Sequence, residues 1–131
     1  VRPCLIFIGR IINMADIKDI STEFEYKGKT YRLVFNLNVM EAIQDKYGTI
    51  ENWGKLTDGE GGEPNAKAVI FGFREMINEG IDIMNEETGN DVKPLTLKQT
   101  GRLITEIGIA EATKKLNKTV IDSTQSAEKN A

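Results

Sequence analysis

Histidine is absent from this chain of 131 residues, and cysteine occurs once, at Cys4. Without histidine there is no Ser–His or Cys–His nucleophile pair, and the commonest general base and metal ligand are missing. A single cysteine builds neither an internal disulfide nor a zinc knuckle. Long apolar runs are lacking too. Cys4–Ile8 followed by Ile11–Ile12 is far shorter than the roughly 20 residues that span a bilayer. The acidic stretch 58–65, DGEGGEPN, has neither the spacing nor the distal bidentate glutamate of a calcium loop. Its glycines lack the preceding strand and the Lys-Ser/Thr ending of a phosphate-binding loop. The acid pairs Glu86–Glu87 and Glu60–Glu63 sit in loop-like or solvated contexts, unlike the enclosed carboxylates of acid–base sites. No catalytic group, cofactor, metal site or membrane segment is therefore expected.

What is present fits one domain with a modest core: 40% of residues are apolar and 28% charged. The charge is uneven. Met14–Val92 holds 8 Lys/Arg against 16 Asp/Glu, and Lys93–Ala131 holds 7 against 4. An acidic body with a basic end can attract a second copy or an acidic partner, although blocks of this size also occur on plain solvated faces. Residues 1–13 have nothing in common with the rest of the chain. Gly9-Arg10 can be encoded by a purine-rich ribosome-binding sequence three codons ahead of Met14, so 1–13 is expected to be a translated leader; an apolar N-terminal strand is the alternative.

From Met14 the pattern predicts a single α+β domain over 14–123, an N-terminal antiparallel β-hairpin followed by a small bundle of four or five α-helices. Thr22–Tyr26 and Thr30–Phe35 alternate, and Lys27-Gly28-Lys29 between them suits a tight turn. Asn36 or Asn38 caps a short helix that stops at Gly48, and Thr49 opens another carrying Trp53. The longest helix runs from Ala66 to about Asn85, capped by Asn65. Gly72 and Gly80 inside it imply either a close neighbour or a bend at Gly80, since each costs about 1 kcal/mol relative to alanine. Pro94-Leu95 then leads into Thr96 and Gln99, a capping box. Leu97, Thr100, Leu103, Ile104 and Ile107 come next at helical spacing, Gly108 interrupts, and Ile109, Ala112, Leu116 and Val120 resume the pattern. The polar residues 124–131 are expected to be disordered.

Four blocks, FEYKGKTYRLVFNLNVMEAIQDKYG (24–48), IENW (50–53), GFREMINEGIDIMNEE (72–87) and the block from Lys93 to Ser126, together resemble the tail assembly chaperones of long-tailed phages and prophages of Gram-positive hosts. The resemblance implies a non-catalytic protein that coats the tape-measure protein, helps recruit major tail-tube subunits, and leaves before the virion is mature. It implies residence in the host cell cytoplasm and, often, self-association as a homo-oligomer. Carried over by that resemblance, the partner contacts are Leu103, Ile107, Leu116 and Val120, with Trp53 next; the other reading places all five in the core. The family also implies a programmed frameshift near the end of the frame. Glu128-Lys129-Asn130 can be encoded with a slippery heptamer, and the chain beyond Ser123 would then act as a linker.

A small helix-turn-helix DNA-binding regulator is the alternative. Thr96–Val120 has the length, with Gly108 at the turn and Lys114, Lys115 and Lys118 on the second helix. Three lysines without arginine or paired amides read base edges poorly, and the acidic body opposes approach to phosphates. Nucleic acid is accordingly not expected as a partner.

Overall fold

The computed structural model describes residues 21–59 and 62–130, the last six of these as backbone only. The leader expected over 1–13, the start at Met14, and Glu60-Gly61 of the acidic connector lie outside the described residues. The architecture is α+β: one antiparallel hairpin followed by five helices.

Strands β1 (Ser21–Tyr26) and β2 (Lys29–Val34) pair with Tyr26 opposite Lys29, Phe24 opposite Tyr31 and Thr22 opposite Leu33. Lys27 and Gly28 both take positive φ, 51° and 77°, the twist that a two-residue hairpin turn requires. The aromatic stripe is real. Phe24 lies 5.9 Å from Tyr31 and meets Phe73 edge-on at 5.8 Å, so it packs on a helix, as two strands alone demand.

Helix α1 (Leu37–Tyr47) is capped by Asn36, whose side chain accepts from the Val39 N–H. Asn38 instead donates to Glu79, as Asn36 does with its amide nitrogen. Helix α2 (Ile50–Asp58) is capped by Thr49, and α3 (Ala66–Thr88) by Asn65. Helix α4 (Leu97–Ile107) carries both halves of the Thr96–Gln99 capping box, and after Gly108 alone α5 (Ile109–Asn130) begins. Over the polar stretch from Thr124, α5 is described as helix to Asn130. No glycine or proline follows Gly108, and Gln125, Ala127, Glu128 and Lys129 are good helix formers that prolong an existing helix.

Helix α3 is the axis of the domain. Phe73, Met76 and Ile77 on it, Leu33 on β2, Ile43 on α1, Trp53 on α2, Leu103 on α4 and Leu116 on α5 are all buried in one cluster. Each such side chain contributes about 1.5–3 kcal/mol. Both interior glycines of α3 mark close approach. A Cβ at Gly72 would fall on the Trp53 indole, and one at Gly80 on the carbonyl oxygen of Arg32. With Tyr26–Lys29 the first hydrogen-bonded pair, the Arg32 carbonyl points away from β1. Gly80 thus lets α3 lie against the outer edge of β2.

Between Gly89 and Thr96 the chain is neither helix nor strand, yet it is pinned to α3. Asn85 donates to the Val92 carbonyl and accepts from its N–H, each at 3.0 Å. Asn78 treats Leu95 the same way, and Arg74 Nε adds a third bond, to the Leu95 carbonyl at 3.1 Å. At the other end of the chain order, the hydroxyls of Thr22 on β1 and Thr119 on α5 meet at 2.6 Å.

Candidate interaction site

The five expected contact residues do not form an exposed surface. Trp53, Leu103 and Leu116 are core side chains, 1%, 1% and 0% exposed, while Ile107 and Val120 are half-buried against the same cluster. The Trp53 indole N–H is already satisfied by the Ala68 carbonyl at 3.0 Å. The reading of these residues as partner contacts is therefore corrected to core for three of them. Helical periodicity marks an apolar face without saying whether the chain's own helices cover it, and here they do.

An uncovered apolar surface does exist, one face round from the core, where the N-terminal half of α3 meets α4. On α3, Lys67, Ile70 and Phe71 fall at i, i+3 and i+4, so they share a face. On α4, Leu97 and Gly101 stand one turn apart, flanked by Lys98 and Arg102. Together they shape a groove in two joined parts. The first, about 430 Å³, is lined by Ile70, Phe71, Leu97 and Gly101 with Lys46, Lys67 and Lys98 at its rim. The second, about 930 Å³, shares Ile70, Lys98 and Gly101 and extends past Leu95 and Leu103 toward Tyr26 and Tyr31. Leu97, 50% exposed, is one of the most exposed large apolar side chains described.

Gly101 keeps the middle of the groove open. A Cβ there would make only ordinary contact with Ile70 Cδ1 at 3.7 Å, so anything larger than alanine enters the groove. Phe71 is steadied from below by Tyr47, edge-on at 5.6 Å, and Lys46 lies over its ring at 4.7 Å. Burial raises the Tyr47 phenol above its ordinary pKa. At the hairpin end, the Tyr26 hydroxyl donates to Glu106 at 2.8 Å, and Lys27 lies 3.9 Å from the same carboxylate. The hydrogen bond to Glu106, ahead of desolvation and the two nearby charges, raises the Tyr26 pKa.

Sequence reasoning missed this groove. One signal was available: 68–71 and 73 are all apolar, a band wider than one buried stripe on a surface helix needs.

The other expected chemistry can be located as well. The helix pair proposed for DNA is joined by Gly108 alone, where a helix-turn-helix uses a turn of about 3–4 residues. Lys115 lies over Phe24 and pairs with Glu111, and Lys118 pairs with Asp122. Among the described residues no three His, Cys, Asp or Glu side chains gather as a metal site. No described helix is long and apolar enough to cross a membrane. Compared with protein-family models, with curated proteins and with solved structures, the chain matches none.

Proposed function

We propose that this chain is a non-catalytic tail assembly chaperone of a long-tailed phage or prophage, which holds the tape-measure protein and helps recruit tail-tube subunits in the host cytoplasm. The sequence resemblance over most of Ile20–Ser126 supports the family. The observation that supports protein binding is the open apolar groove between α3 and α4, set on a domain whose other large apolar side chains are mostly enclosed. A chain without histidine, whose described carboxylates lie mainly at the surface, suits holding better than chemistry.

Co-expression tests the reading. The tape-measure protein encoded in the same gene cluster should stay soluble with this chain and precipitate without it. Purified virions should lack peptides of this chain by mass spectrometry. A tape-measure protein equally insoluble in both cultures overturns the proposal.

A further inference from the structure

We infer that the α3–α4 groove takes an amphipathic α-helix of another protein, one whose apolar stripe is flanked by carboxylates. The inference deepens the proposed function and rests on it only for where such a helix comes from.

The floor decides in favour of a helix. Ile70, Phe71, Gly101 and Leu103 lie where the helix backbone groups are bonded internally, whereas the N–H of Leu97, at the first position of α4, has no intrahelical partner. Outside the helices, Leu95 has its N–H and carbonyl engaged by Asn78 and Arg74, and Tyr26 and Tyr31 are paired within the hairpin. An extended segment laid on this apolar floor would bury most of its own N–H and C=O groups without a row of backbone partners, which costs about 1–3 kcal/mol per unmet group. A helix arrives with those groups already paired, and its apolar stripe matches a floor of side chains. Gly101, at mid-groove, permits the closest backbone approach.

The rim decides the partner's charge. Lys27, Lys46, Lys67, Lys98 and Arg102 line the groove, in a chain whose net charge is −3. Against them stands one lining carboxylate among the described residues, Glu106, already engaged by Tyr26 and Lys27. Carboxylates along the incoming helix complete this pattern, whereas basic flanks meet like charge.

A second copy of the chain fits poorly as the occupant. Among the described residues the exposed large apolar side chains, Leu37, Val92, Leu97, Ile109 and Ile121, are scattered and form no stripe. Nucleic acid would use the lysines and leave the apolar floor uncovered.

The experiment uses the full chain and a fluorescein-labelled helical peptide of about 18 residues, five turns long. Leucines at i, i+3, i+4 and i+7 make its stripe, and glutamates flank it; a sister peptide has lysine for every glutamate. By anisotropy the glutamate peptide should bind, more weakly as salt rises. Lys46→Glu with Lys67→Glu and Lys98→Glu should weaken it by at least about tenfold. Gly101→Leu, which fills the floor at an accessible position, should weaken it at unchanged circular dichroism. Failure of the glutamate peptide to bind overturns the inference. So does equal binding of the lysine peptide, or binding indifferent to both sets of substitutions. Displacement by random duplex DNA, or sedimentation as a dimer dissolved by the same substitutions, assigns the groove to another occupant and overturns it as well. Should the charge-reversed chain still keep the tape-measure protein soluble, the groove assignment fails and the chaperone reading stands. Should the peptide bind while that protein precipitates regardless, the reverse holds.

Discussion

The side-chain amide of Asn78 meets both backbone groups of Leu95, accepting from the N–H at 2.8 Å and donating to the carbonyl at 3.1 Å. Asn85, two helical turns on, repeats the arrangement with Val92, so two side chains of α3 serve an extended segment as a neighbouring strand would. Asn78→Ala leaves the part-buried Leu95 N–H without its partner, while the carbonyl keeps Arg74 Nε, and should cost about 1–3 kcal/mol in a denaturant titration. Asn85→Ala, where the bonds are exposed to water, should cost less than half as much. Equal costs would show that the clamp does not depend on burial.

The two glycines inside α3 should respond differently to the same change. Alanine normally favours a helix by about 1 kcal/mol over glycine. Gly72→Ala nevertheless drives a methyl into the Trp53 ring, and Gly80→Ala drives one into the Arg32 carbonyl. Each should lower stability by about 1–3 kcal/mol, the range for overpacked sites. A smaller ring can relieve only the first. Trp53→Phe with Gly72→Ala should be clearly less harmful than the sum of the single changes, and the same ring change should leave the Gly80→Ala cost untouched.

Leu116 and Val120 separate a core residue from a half-buried one on the same helix. Leu116→Ala should cost about 2–5 kcal/mol as a cavity, and Leu116→Asp should prevent folding by circular dichroism. Val120→Ala should cost on the order of 1 kcal/mol. A Leu116→Asp chain that melts like wild type would place this side chain at the surface after all.

Tyr26 supplies a pH-dependent signature. Its folded-state pKa is raised, first by the hydrogen bond to Glu106, so folding favours the protonated phenol. The associated stability is present below the ordinary phenol value of about 10 and is lost as pH rises through the higher folded value. Titrated by tyrosinate absorbance, Tyr26 and the half-buried Tyr47 should both ionise late, and Glu106→Ala should bring Tyr26 alone back toward the ordinary value. A titration unaffected by that substitution would remove the Tyr26–Glu106 bond.

Starts, stops and the turn were legible because each is written in the chemistry of one or two residues. Asn65, Thr49 and the Thr96–Gln99 pair cap their helices, and Lys27-Gly28 turns the hairpin, as their side chains and φ preferences require. The interior glycines were legible as a pair of options, of which close approach is the one realised. The groove was not, for a geometric reason. Ile70 and Leu103 have the same hydropathy signal, and only the packing of α4 on α3 leaves the first at a rim and the second beneath it. The Asn78–Leu95 and Asn85–Val92 clamps were hidden for a related reason: an asparagine inside a helix reads as surface until something lies beside it.

The meeting of Thr22 with Thr119 has a consequence for how the domain is born. These residues are 97 positions apart, and they join the first described strand to the last helix. At ribosomal speeds of about 5–20 residues per second, that interval is on the order of ten seconds. During it, the emerging hairpin has no α5 to rest against. Phe24 and Leu33 wait with part of their apolar surface still wet, and a two-stranded ribbon is marginal by itself. Among the described elements, α5 is thus the last to dock, and it closes onto the first described strand. A nascent chain held up before Thr119 would present a sticky, unfinished ribbon to the cell for as long as the delay lasts.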